Sequence, residues 1–315
     1  MSGATVDRVK LNDLVADGLA AVERAMLAVT DSDVDILRDA SHHILDAGGK
    51  RIRPRLLLLT YLALGGRDLD YVSRPAAAIE LMHTASVVHD DINDHGILRR
   101  GRPSVNALWG RTFALLTGDF LFTAVYELMA PYHDLNIDLA QAATALVEGE
   151  TLQASAVKNN AFTREAYMQI IARKTAALFR AASTIGAKLA RANQTETSEL
   201  ADFGFNLGLA FQIVDDILDL VQDEAKLGKS SGIDIPQGRG VAVALDGANG
   251  SGGTKVIDSV AMIRQKLMEG DTIEKARGQA SLLIDSATAN LTVLDDSPAK
   301  SELAKLARQV VERDS

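Results

Sequence analysis

The chain contains no cysteine in 315 residues, which excludes disulfides, thiolate nucleophiles and zinc–thiolate sites together. Aromatic residues are scarce, at 4%, while alanine and leucine abound; that balance favours helices over sheets. Long apolar runs are also missing. The strongest, Leu56 to Leu64, is far short of the roughly 20 residues that span a bilayer, so no transmembrane segment is expected. The N-terminal stretch Met1 to Arg8 lacks the apolar core of a signal peptide, and the chain reads as cytoplasmic. Excess positive charge is absent too. A net charge of -9 argues against nucleic acid as the main partner. It leaves a phosphate ligand open, because local Arg and Lys clusters and bound metal decide that.

What is present is helical periodicity. Leu11, Leu14, Val15 and Leu19 form one stripe, Ile137, Leu139, Ala142, Ala145 and Leu146 another, and Leu283, Ile284 and Leu291 a third. Breaks fall at Gly48-Gly49, Gly65-Gly66, Gly101-Arg102-Pro103, Pro131 and Asp295 to Pro298. No alternating strand pattern stands out. One long loop-like stretch runs from Gly228 to Thr254, rich in glycine and of flexible composition. Nothing separates two halves, so the sequence predicts one all-α domain over residues 1–315.

Two copies of one acidic pattern stand out, 125 positions apart: Asp90-Asp91-Ile92-Asn93-Asp94 and Asp215-Asp216-Ile217-Leu218-Asp219. Both sit in largely apolar surroundings, where carboxylates need a counter-charge and hard cations supply one. On a helix, positions i and i+4 share a face, so Asp90 with Asp94, and Asp215 with Asp219, can each grip a cation. Magnesium held by one or two carboxylates plus substrate phosphates is a usual arrangement. Two such walls facing each other would clamp a diphosphate. A single copy is equally well an exposed charged face or a helix cap; two copies with basic clusters nearby make that reading improbable.

Opposite charge gathers around the first copy. Asp94 is followed by His95-Gly96-Ile97-Leu98-Arg99-Arg100-Gly101, which places a paired arginine at the mouth of a pocket. Arginine is suited to forked contacts with phosphate oxygens. Upstream, Gly48-Gly49-Lys50-Arg51-Ile52-Arg53-Pro54 sets three cations on a glycine-permitted turn before a helix, a reasonable anion site. Lys174-Thr175, Gln212 and Lys229 are further candidates. Taken singly, Lys174 reads as a surface lysine, Gln212 as a core hydrogen-bonding residue and His83 as a structural histidine.

Taken together, these residues resemble the trans-isoprenyl diphosphate synthases (polyprenyl synthases), over almost the whole chain from about Ile36 to Arg313. The elements recur in order: the Gly48 to Pro54 motif, His83 to His89 leading into the first aspartate motif, Arg99-Arg100-Gly101, Gly118-Asp119, Glu148-Gly149-Glu150 with Gln153, Lys174-Thr175, Phe211-Gln212 and the second aspartate motif. The resemblance implies an all-α bundle with a central active-site cavity, commonly a homodimer, that condenses isopentenyl diphosphate head to tail with an allylic diphosphate. It implies Mg2+, three ions per site, held by Asp90, Asp91, Asp94, Asp215, Asp216 and Asp219. Arg99, Lys174, Thr175, Gln212 and Lys229 would contact the allylic diphosphate, and Lys50, Arg53, His83 and Arg100 the isopentenyl diphosphate. Charge developing on the departing diphosphate would be stabilised electrostatically, in a dry cavity that keeps water from the allylic cation.

One departure concerns the loop. Where the family often shows a basic residue followed by Thr-Leu-Pro, this chain has Gly238-Arg239-Gly240-Val241-Ala242-Val243. Arg239 is the residue there that would still reach phosphate. Product length is expected to follow cavity depth below the first motif. Ala85 and Ser86, five and four positions before Asp90, are both small, which predicts medium to long products of C30 to C40. Leu81, Met82, Tyr61, Phe120 or Phe122 would form the floor; a floor at Tyr61 or Phe120 would stop the chain at C20 (geranylgeranyl), with farnesyl the other short alternative. The rival readings are a terpene cyclase or head-to-head condensing enzyme, and a non-catalytic subunit of a heteromeric synthase.

Overall fold

Turn chemistry explains where the helices start and stop. A computed structural model describes residues 3–159, 161, 163–229 and 272–312. Helix α1 (Gly3–Val29) precedes α2 (Asp35–Asp46), after which Gly48 and Gly49 take the left-handed φ values of 71° and 155° that break the helix. Helix α3 (Ile52–Ala63) begins at Arg51, itself left-handed at φ 45°. Helix α4 (Leu69–Asn93) is capped by the Asp68 side chain, which accepts from the Tyr71 N–H at 2.9 Å. It ends on the first aspartate motif.

A two-stranded hairpin follows, pairing β1 (Leu98–Arg99) antiparallel with β2 (Arg102–Pro103). Its two-residue turn, Arg100 at φ 52° and Gly101 at φ 76°, has the double left-handed geometry of tight hairpins. Two-residue strands leave no periodicity to read, which is why the sequence showed no strand there. Buried Ser104 anchors the hairpin by donating to the Gly96 carbonyl at 2.6 Å, and it also caps α5.

Helix α5 (Val105–Met129) is interrupted by non-helical Gly110. Helices α6 (Leu135–Lys158), α7 (Arg164–Ile171), α8 (Ala177–Leu189) and α9 (Gln194–Lys229) follow, then α10 (Thr272–Asn290) and α11 (Pro298–Val311). Residues Ala172–Ala176, between α7 and α8, form a π-helical turn. The fold is all-α. Helix α4 packs against α1, α3, α5 and α8, and α9 lies between α8 and α10. Leu56, Leu57, Leu58, Leu59, Ile79, Leu81, Phe179 and Phe203 are wholly buried at these contacts, each contributing roughly 1.5–3 kcal/mol of burial. Gly208 lets α9 approach the π turn closely, since a Cβ there would lie 2.7 Å from Ala176 Cα.

Contrary to the expectation from uninterrupted apolar runs, the segment Val105–Tyr132 is long and apolar enough to cross a membrane by length and composition. It carries Arg111, Asp119 and Glu127, and one of its faces packs along α4. Its other face leaves Leu108, Leu115, Leu116 and Tyr126 exposed.

Candidate active site

The C-terminal half of α4, the start of α3, the hairpin, the π turn and α9 enclose a cavity of about 850 Å³. Asp90 and Asp94, one turn apart on α4, line it, and so do Asp215 and Asp219 on α9. The i, i+4 spacing thus aims one carboxylate pair from each of two helices into a shared space. Asp91 and Asp216 point elsewhere. Both are almost wholly buried and do not line the cavity. Asp91 forms an ion pair with Arg99, whose Nε donates at 3.1 Å. Asp216 accepts from the Tyr167 hydroxyl at 2.6 Å and from Gln212 Nε2 at 3.0 Å. Of the six aspartates expected to hold metal, Asp90, Asp94, Asp215 and Asp219 thus line the cavity, while Asp91 is engaged with Arg99 and Asp216 with Tyr167 and Gln212.

That wall is a chain of hydrogen bonds. Thr175, in the π turn, donates to Gln212 Oε1 at 2.7 Å; Gln212 donates to Asp216; Asp216 is held by Tyr167 from α7. The π turn also projects Lys174 between two carboxylates, 2.7 Å from Glu150 and 3.3 Å from Asp90. Gly149 makes this placement available, because a Cβ there would sit 2.7 Å from the Lys174 backbone nitrogen. Burial alone would lower the Lys174 ammonium, but Asp90 and Glu150 outweigh it and hold it above the usual lysine value. Burial pushes the Asp90 carboxyl up to about 6, with Lys174 opposing and Glu150 adding to the rise.

Cations line the same cavity: Lys50, Arg51, Arg53, Arg99 and Arg100, with His83 among them. Arg53 is buried with its guanidinium 4.7 Å from the Phe179 ring centre, and its Nε has no hydrogen-bond partner. Burial lowers its pKa to about 10, with Glu80 and Asp215 opposing, so the group remains charged at neutral pH. Burial and the surrounding Arg53, Arg100, Arg99 and Arg51 hold His83 well below the usual histidine range, so it is a neutral hydrogen-bonding group. Arg100 lies against Gly49, where a Cβ would be 2.7 Å from Nη1.

The donor set fits magnesium. Among the described residues no three acidic or imidazole groups come together into a site complete in itself. Two pairs of carboxylates with open space between them instead suit a hard cation that keeps part of its shell for phosphate oxygens. Asp90, Asp94, Asp215 and Asp219 would hold it, and the cost of burying Asp90 ionised would be relieved by its charge.

The comparisons agree with this geometry. A family model described as Polyprenyl synthetase matches residues 34–277. Octaprenyl diphosphate synthase of Escherichia coli (strain K12) is 35% identical, with 97% of this chain and 98% of that protein covered. A short chain isoprenyl diphosphate synthase of Methanothermobacter thermautotrophicus is 39% identical over 93% of this chain and 95% of its own. The solved structure of a decaprenyl diphosphate synthase from Rhodobacter capsulatus superimposes with a TM-score of 0.78 at 32% identity, covering 97% of this chain and 99% of that one. The chain belongs to the polyprenyl synthetase family. It is a prenyltransferase of the polyprenyl diphosphate synthase type.

Within this prenyltransferase the two chain-length candidates differ. Ser86 lines the cavity, its hydroxyl turned back to donate to the His83 carbonyl at 2.8 Å. Ala85 is wholly buried in the core and does not line it. Tyr61 packs over Gly66 at the far end of α3 and donates no floor to this cavity; nor do Leu81, Met82, Phe120 or Phe122 line it. Lys229 closes α9, and Arg239 with the 238–254 segment lies outside the described residues.

Sequence reasoning singled out neither Glu80 nor Tyr167, and it placed Arg51 among three cations of a candidate anion site rather than in an internal ion pair. Glu80 carried a readable signal, a lone carboxylate inside the apolar stretch from Ile79 to Val88. Glu150 stood inside a quoted motif. Tyr167 had no signal, since only the fold brings α7 to Asp216.

Proposed function

We propose that this chain, as one synthase domain over residues 1–315, joins isopentenyl diphosphate head to tail to an allylic diphosphate and yields all-trans products of C30 to C40. The observation that carries the reading is one cavity lined by two carboxylate pairs, Asp90 with Asp94 and Asp215 with Asp219, and by the cations Lys50, Arg53, Arg99, Arg100 and Lys174. Cations in that number support a second diphosphate subsite, which a terpene cyclase does not need. All four cavity-facing carboxylates are in place, which disfavours the non-catalytic subunit.

Magnesium, three ions per site by family expectation, supplies neutralisation of charge on the departing diphosphate when bound. The chain's own groups do the rest. Lys174, Arg99, Thr175 and Gln212 would hold the allylic diphosphate beside the aspartates and stabilise the charge it gains as its C–O bond breaks. Lys50, Arg53, Arg100 and neutral His83 would hold isopentenyl diphosphate so that its double bond meets the allylic carbon. The new C–C bond forms as one proton leaves, taken up by the released diphosphate. Ser86, Val87 and Phe211 are the less polar part of the cavity wall and help exclude water.

Small Ser86 on the cavity wall supports a long product, as do the octaprenyl and decaprenyl activities in the names of two relatives. A C20 product is the second reading, favoured by the short-chain relative and by the buried position of Ala85. The exposed apolar side chains of α5, with Ile137 and Val147 of α6, support a homodimer joined through that face. A cytoplasmic location completes the reading.

The test is incubation of purified protein with magnesium, isopentenyl diphosphate and farnesyl diphosphate, followed by chromatography of the dephosphorylated products. A ladder ending at C30 to C40 is expected. A stop at C20 would overturn the length, and no product from dimethylallyl, geranyl or farnesyl primers would overturn the reaction.

A further inference from the structure

Arg51 lines the cavity, yet its side chain is already spoken for. Its Nη1 donates to Glu80 Oε1 at 3.0 Å, its Nη2 donates to Glu23 Oε2 at 3.2 Å and to the Leu45 carbonyl at 3.1 Å, and its Nε donates to Glu23 Oε1. Four of the five guanidinium hydrogens can thereby be engaged. Neighbouring Arg53 keeps an unpartnered Nε. The two arginines, two residues apart in sequence, therefore have different jobs.

The backbone supports the same division. Arg51 is the N-cap of α3 and sits at φ 45°, a left-handed conformation that residues with a Cβ rarely adopt. The strain falls where the turn must present Lys50 to the cavity, set Gly49 against Arg100 and start the helix that carries Arg53. Glu23 reaches Arg51 from α1 and Glu80 from α4, so one guanidinium ties the turn to two helices.

Glu80 is the unexpected member. It is 3% exposed, lines a cavity built for anions, and leaves Oε2 without a hydrogen-bond partner. A carboxylate there repels a diphosphate unless its charge is used internally. Its neighbour Arg51 is the group that uses it.

We propose that Glu80 and Arg51 form a buried clamp that positions the Gly48–Lys50 turn, so that Lys50, Arg53 and Arg100 meet the isopentenyl diphosphate while Arg51 itself does not touch it. The clamp rests on the prenyl-transfer reading above and specifies how its second subsite is built. It also makes a prediction of opposite sign to simple charge counting. If Arg51 bound phosphate directly, removing the Glu80 charge would free it and tighten the site.

The experiment compares wild type with Glu80→Gln, Arg51→Gln and the double variant. Steady-state kinetics would vary isopentenyl diphosphate and farnesyl diphosphate separately, with thermal melts run alongside. The clamp predicts that Glu80→Gln raises the KM for isopentenyl diphosphate at least fivefold, leaves the KM for farnesyl diphosphate within twofold, and that the double variant is no worse than Arg51→Gln alone. A lowered KM for isopentenyl diphosphate in Glu80→Gln, or additive losses in the double variant, would overturn it. So would equal losses for both substrates, which mark a general structural defect. Titration of metal-free protein with inorganic pyrophosphate separates the two layers of the argument. If wild type gives no turnover, the prenyl-transfer reading fails, and weaker pyrophosphate binding by Glu80→Gln still upholds the clamp; unchanged or tighter binding sinks it.

Discussion

Replacing Asp90 by asparagine should stabilise the metal-free protein while abolishing its activity. Asp90 is largely buried, its side chain 20% exposed, and burial raises its carboxyl to about 6 from an ordinary value near 4. That value already includes the pull of Lys174. A rise of about two pKa units corresponds to about 3 kcal/mol of cost when the group is ionised in the folded protein, at about 1.4 kcal/mol per unit. Partial exposure trims this to roughly 2 kcal/mol.

The sign follows from proton counting. Between about pH 4 and 6 the native state holds a proton that the unfolded chain has released, so stability falls as pH rises through that window. Above pH 6 the cost is fully present. Asparagine is neutral and of similar shape, and Lys174 retains Glu150 at 2.7 Å. At pH 7.5 in a chelator, Asp90→Asn should therefore melt roughly 3 °C above wild type, and the difference should shrink towards zero by pH 4. Magnesium with pyrophosphate should raise the wild-type melting temperature and leave the variant nearly unmoved, since a ligand stabilises only the state it binds. Differential scanning calorimetry at pH 4, 6 and 7.5 decides the matter. A variant that melts below wild type at pH 7.5 in chelator would show that the Asp90–Lys174 attraction outweighs the burial, refuting the argument.

Other substitutions probe the rest of the site. Ser86→Phe should shorten the product by several isoprene units with little change in stability, whereas Ala85→Phe, placed in a filled core, should cost about 1–3 kcal/mol; chromatography and melting curves on both check this, and a shortened product from Ala85→Phe alone would misplace the cavity wall. Gly149→Ala should push the π turn away from α6, lowering kcat at least tenfold through Lys174; a fully active variant would show that the turn can give way freely. Tyr167→Phe removes a hydrogen bond to the Asp216 carboxylate and should slow turnover about tenfold, at about 1.4 kcal/mol per decade, with the fold intact by circular dichroism.

Much of this was legible in the sequence, because periodicity carries information that side-chain partnerships do not. Spacing of four on a helix was enough to pair Asp90 with Asp94 and Asp215 with Asp219 on cavity-facing sides. Glycines at 48, 49 and 101 marked turns that the structure places in left-handed conformations. The helical boundaries near Gly65 and Pro298 followed the same logic. The hairpin was invisible because its strands are two residues long. Asp91 and Asp216 could not be told from their neighbours because the sequence shows only that they are aspartates. Their partners, Arg99 and Tyr167, are eight and 49 residues away, and only the packing of the hairpin and α7 brings them close.

The two acidic motifs therefore have the same internal logic despite their different settings. In each, the aspartates at the first and fifth positions line the cavity and the one at the second position engages a polar neighbour: Arg99 for Asp91, Gln212 for Asp216. Positions i and i+4 lie about 40° apart around a helix axis and the adjacent position about 100° from the first, so the second aspartate sits at the edge of the face the other two share. The adjacent aspartates are thus better understood as one wall group and one anchor than as a doubled ligand. An anchor needs its charge only because its partner, an arginine or a hydrogen-bonded glutamine, must be held where the diphosphate arrives. Loss of Asp91 should consequently resemble loss of Arg99 in its kinetic signature, and loss of Asp216 that of Gln212, rather than either resembling loss of Asp90.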